Sequence, residues 1–109
     1  MNSTLIRDGV IKAIDIVISE CLASQEKATD VVVASELSAL RDIRLRVQCQ
    51  WPLPQEIKSR LNIGPVAAKN ITDWNRRLGN LLMILHHVLK NDGDSLQKLL
   101  GGDGPPKLS

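Results

Sequence analysis

The sequence predicts an all-α protein: a small bundle of three main helices with short helices around 55–61 and 95–100. Three observations carry that reading. Ala67, Ile71, Trp74, Leu78, Leu81, Leu85 and Val88 recur at alternating steps of four and three residues, which places apolar side chains along one stripe of a helix. Residues 3–23 carry a second apolar face of helical period. The 109 residues include no Phe and no Tyr, so Leu, Ile, Val and Ala must fill the core, a composition suited to interdigitating helices.

The first helix is expected over 3–23, started by Ser3 or Thr4, with Leu5, Ile6, Val10, Ile14, Val17, Ile18 and Cys21 at helical intervals. Ile11 and Ile16 widen the face enough to meet two neighbours. Gly9 weakens helix propensity and marks either a close approach or a frayed first turn. After a polar connection at 24–29, a second helix starts near Thr29 or Asp30 and lines up Val33, Leu37, Leu40, Ile43 and Val47. A competing pattern overlies its end. Residues 43–51 alternate strictly between apolar and polar, the period of a half-buried strand. Helix is the reading taken, because a lone strand would leave its backbone groups unpaired unless a second subunit supplied a partner.

Trp51-Pro52-Leu53-Pro54 ends that element, since each proline lacks an N–H and disfavours helix in the residue before it. Pro54 then opens a short helix through Leu61, and Pro65 is placed to begin a long one. That rod is expected to run unbroken from about 65 to 90 and to end at Asn91 and Gly93. A last turn follows through Leu96, Leu99 and Leu100. The domain spans 1–100, and the Gly- and Pro-rich residues 101–109 form a flexible tail.

The net charge is +2, unevenly spread. Residues 1–40 hold three basic and six acidic groups, whereas residues 41–90 hold nine basic and three acidic ones. Such a middle is either a solvated helix surface or a face for an anion. Cys21 and Cys49 form neither a CxxC pair nor a disulfide framework, which points to a reducing cytoplasm. No uncharged apolar run reaches the ~18 residues of a membrane span. The scarcity of aromatics argues against a single-strand nucleic-acid platform.

Catalytic constellations are hard to find. His86 and His87 are adjacent, so on a helix they point about 100° apart and cannot share a metal. One is expected at the core edge and the other in solvent. Asp92-Gly93-Asp94 lacks the remaining ligands of a calcium loop and reads as a helix stop. The glycines at 101, 102 and 104 precede no helix that would receive a phosphate. No enzyme activity, metal, cofactor or small-molecule substrate is predicted.

Glu56 to Ile71 resembles the helix-turn-helix pattern of DNA-binding repressors. Ile57, Leu61, Ile63, Ala68 and Ile71 fall where that motif makes its inter-helix contacts, with Asn62 at the turn. The resemblance implies that Lys69, Asn70 and Thr72 face bases while Lys58, Arg60, Arg76 and Arg77 face phosphates. It departs from the pattern at Lys58, where a small residue normally lets the helices cross. Arg44, Arg46, Gln48 and Gln50, taken as one strand face, look like ribbon-helix-helix repressors, although the following helix is short for that fold.

The expected function is contact without chemistry: a helical protein that self-associates or docks on a protein partner. Its basis is the stripe of Ile71, Trp74, Leu78, Leu81, Leu85 and Val88 beside a second broad apolar helix in a short chain. The same faces also suffice to pack one monomer internally. The alternative is a transcriptional regulator that binds nucleic acid through residues 55–77, with Lys58, Arg60, Lys69, Asn70, Arg76 and Arg77 as its contacts. No membrane association is expected.

Overall fold

The computed structural model describes residues 3–27 and 30–100. Six helices follow one another: α1 (Ser3–Lys27), α2 (Val31–Cys49), α3 (Gln55–Arg60), α4 (Ile63–Asn70), α5 (Arg76–Lys90) and α6 (Gln97–Leu100). There is no strand among the described residues, so the all-α expectation holds. The expected polar connection is shorter than its composition implied, because α1 continues through Lys27. The tail at 101–109 lies outside the described residues.

α1 packs against both α2 and α5, as its broad face requires, and Val10, Ala13, Ile14, Val17 and Cys21 are fully buried between them. An ion pair from Arg44 Nε to Asp15 Oδ1 at 2.6 Å fixes α1 and α2 antiparallel. Arg77 Nε on Glu20 Oε1 at 3.0 Å does the same for α1 and α5. Such partly exposed pairs contribute little stability but set the register. Asp30 caps α2 by accepting from Val33 N at 3.0 Å. Gln25 donates to the Asp30 carbonyl at 3.2 Å and accepts from the Asp30 N–H at 2.8 Å, tying the end of α1 to the start of α2.

The contest over residues 43–51 is decided for helix. Ile43 and Val47 are buried, whereas Leu45 is 61% exposed and Cys49 is also outside. A strand would have put all four on one side. Arg46 pairs with Asp42 one turn back at 2.9 Å, a contact only a helix makes. The ribbon-helix-helix reading of Arg44, Arg46, Gln48 and Gln50 is thereby corrected.

The long rod is the principal difference from expectation. Residues 71–75 turn rather than continue, so α4 and α5 are separate helices packed as an antiparallel hairpin. Local hydrogen bonds outcompete the helix there. Thr72 N and Thr72 Oγ1 both donate to the Ala67 carbonyl, at 3.0 and 3.1 Å, and Asn75 Oδ1 accepts from Leu78 N at 3.1 Å as the cap of a new helix. The turn resets the register of the stripe. Ile71, Leu78, Leu85 and Val88 remain buried, but Trp74 is 49% exposed and Leu81 is only half-buried, with Leu82 taking the central place. Pro65 falls within the first turn of α4, where its missing N–H costs nothing.

Two glycines let helices approach closely. A Cβ on Gly9 would lie 2.9 Å from Leu96 Cδ2, so this residue marks where α6 and the turn before it lie on α1. A Cβ on Gly64 would lie 2.9 Å from His86 Cβ, where α4 meets α5. α5 stops at Asn91, with Gly93 at a φ of +99° and its N–H on the Val88 carbonyl at 2.9 Å, the helix stop expected there.

Candidate functional site

Four of the nine basic residues between 41 and 90 are held in ion pairs. Arg44 and Arg77 hold α1, Arg46 binds Asp42, and Lys58 Nζ sits 2.6 Å from Asp92 Oδ1 with its side chain only 14% exposed. Lys58 thus ties α3 to the turn after α5 and does not face outward. Arg60, Lys69 and Arg76 are exposed and make no ion pair among the described residues.

The helix-turn-helix contacts are met only in part. Ile63 and Ile71 are buried and Ile57 and Leu61 pack against the core, but Ala68 is exposed and Ala67 takes the inward position. The segment proposed to enter a groove, α4, has 8 residues and lies along α5. Thr72 donates its hydroxyl to the Ala67 carbonyl at 3.1 Å and is half-buried. Asn70 donates to the Val66 carbonyl at 3.1 Å and its own carbonyl accepts from Trp74 Nε1 at 2.9 Å. Lys69, Asn70, Arg76 and Arg77 do gather at the corner between α4 and α5, while Lys58 and Arg60 stand elsewhere, on α3.

The histidines divide as expected. His86 is half-buried, and its Nδ1 accepts from Gly64 N at 3.3 Å, which assigns the proton of the neutral ring to Nε2. Burial, then the nearby Lys90 and His87, hold its pKa below the ordinary value. His87 is exposed, with Nε2 2.9 Å from Asp94 Oδ2. This pair resembles the orienting half of a nucleophilic triad, but the other ring nitrogen meets the Asn91 amide at 3.2 Å, and Ser95 Oγ reaches Asp94 instead. Cys21 is fully buried, and its thiol is pushed up to about 12 by burial and by Glu36 and Glu20. A thiol so held is a core group rather than a nucleophile. No group of three or more metal-ligating side chains gathers among the described residues.

What sequence reasoning missed is a groove between α2 and the α3–α4 segment, with a volume of about 180 Å³. Its floor is Ala39, Ile43, Ile57, Leu61 and Ile63; Asp42, Arg46, Arg60 and Asn62 form its rim. The groove exists because α3 stands off the bundle: none of its residues is buried, although Ile57 and the following Leu61 turn toward the core. Prolines 52 and 54 set this geometry by ending α2 and launching α3 as an isolated turn and a half. The signal was present in Ile57 and Leu61, an apolar pair at i, i+4 that a six-residue helix cannot bury alone.

A second missed feature is Glu36. It is 3% exposed on the inner line of α2, and its Oε2 has no hydrogen-bond partner. Burial pushes its carboxyl up to about 7. Its position, three residues after Val33 and four before Leu40, was the available clue. No helix of the described residues is long and apolar enough to cross a membrane. No protein-family model, curated protein or solved structure matches this chain.

Proposed function

We propose that this chain acts by contact rather than catalysis, and that the groove between α2 and the α3–α4 segment is the face it offers a protein partner. The stripe that first motivated a contact role does not carry it, since Ile71, Leu78, Leu85 and Val88 serve the chain's own core. The observation that supports the reading is α3. It projects the Arg60 guanidinium, which makes no ion pair among the described residues, over an aliphatic floor that its own molecule leaves half-covered. Such an apolar seat with a polar rim is the anatomy of a small protein interface. Free thiols at Cys21 and Cys49 suit the reducing cytoplasm as the place of action.

A photoreactive residue at Asn62, on the groove rim, tests this in the native cell. Light should produce a discrete protein adduct, absent when the same residue stands at the exposed Gln97 on α6. Equal or absent adducts at the two positions would remove the contact role.

The second reading is duplex DNA bound by the α4–α5 corner. It is favoured by one observation: Lys69 and Arg76 are exposed there without ion-pair partners among the described residues. It requires retention of duplex at low salt that falls steeply as salt rises and weakens in Arg76→Ala/Arg77→Ala whatever the sequence. A duplex that never shifts at low salt ends this reading.

A further inference from the structure

We propose that the occupant of the groove is the outer face of α1 from a second copy of this chain. This rests on the contact role just assigned and names its partner. The last turns of α1 carry Leu22, 44% exposed, and Glu26, exposed and in none of the ion pairs seen among the described side chains. The two are spaced i, i+4 and so project side by side, with the small Ala23 next to them. The groove has the matching arrangement. Ile57 and Arg60, at i, i+3 on α3, set an aliphatic seat beside an unpaired guanidinium.

Size agrees with charge. A cavity of about 180 Å³ accepts one leucyl side chain, since apolar cavities of roughly 150 Å³ take up a benzene ring. Leu22 and Glu26 are exposed on α1, free to meet the groove of another copy. Seated there, they join two copies. In a two-fold pair each copy gives its α1 tip and receives the other's, which closes the assembly at two. The acidic first 40 residues and the basic residues 41–90 steer such copies toward each other.

Sedimentation equilibrium of the full chain, from micromolar to millimolar concentration, tests the proposal through charge reversal. The unaltered chain should rise from monomer toward dimer. Glu26→Arg and Arg60→Glu, each alone, should weaken association about tenfold or more, because like charges then face each other. An equimolar mixture of the two variants should recover it, since every Glu–Arg contact is restored between unlike copies. Leu22→Asp should abolish association without altering the circular dichroism of the fold. A chain that is monomeric throughout, or single variants that associate as the unaltered chain does, would overturn the proposal. If the photoreactive residue at Asn62 still captures a foreign protein in that case, the contact role survives and only the second copy is lost. If neither is seen, both fall.

Discussion

Thr72 turns its hydroxyl back onto the carbonyl of Ala67 at 3.1 Å, and the helix that apolar spacing would carry to Lys90 stops there. The chain then reverses and lays α4 along α5. The register of the core follows from that reversal.

Asn75 starts the returning helix, so its loss should be felt. Asn75→Ala removes the bond to Leu78 N and should cost about 1 kcal/mol, seen as a lower urea midpoint at unchanged slope. Asn75→Asp should restore most of it. Equal midpoints for Asn75→Ala and the parent chain would mean that α5 needs no cap.

Register gives a sharper comparison. Leu82→Ala, at a fully buried position, should cost about 2–5 kcal/mol, whereas Leu81→Ala, half-buried, should cost well under half as much. Thermal melts of the two variants decide this. The reverse order would restore the unbroken stripe.

Gly79 sits where α5 leaves the turn, with the Thr72 side chain and backbone against it; a Cβ there would lie 2.9 Å from Thr72 Cα. Ala for Gly in a helix normally stabilises by about 1 kcal/mol. Here Gly79→Ala should destabilise instead, because backbone cannot move aside cheaply. A raised melting temperature would show that the two segments are further apart.

Glu36 links the fold to pH. Its native carboxyl holds a proton up to about 7, while the unfolded chain releases it near the ordinary value of 4.5. Stability from this group is therefore fully present below 4.5, declines as pH climbs toward 7, and levels off above. The decline is about 3 kcal/mol by linkage. Glu36→Gln should match the parent chain near pH 4.5 and exceed it by pH 8, read from urea titrations at each pH. Parallel pH curves for the two proteins would mean that the carboxylate finds a partner in the folded state.

Legibility tracked the range of the forces involved. Helix 31–49 could be read because Val33, Leu37, Leu40, Ile43 and Val47 fall on one face whatever surrounds them, and the rival alternation at 43–51 failed once Leu45 and Cys49 were free to face water. The stop at Asn91–Gly93 could be read because glycine alone tolerates that φ at low cost. The break at 71–75 was hidden. It depends on Thr72 and Asn75 side chains choosing the backbone over solvent, and it is held by Gly79 packing from a later turn. The groove was hidden for a related reason: it lies between helices, and only Ile57 and Leu61 hinted that α3 had more apolar surface than it could cover. Of the basic residues singled out from sequence, Lys58 and Arg77 proved to be tied to Asp92 and Glu20, pairings across 34 and 57 positions that no local pattern announces.

The reversal between α4 and α5 is tested most directly by solution NMR of the intact chain. The account predicts non-helical carbon shifts at residues 71–75 and a nuclear Overhauser contact between the Gly64 amide and the His86 ring, 22 positions away. Helical shifts running without interruption from 65 to 90, with no Gly64–His86 contact, would contradict it and remove the hairpin.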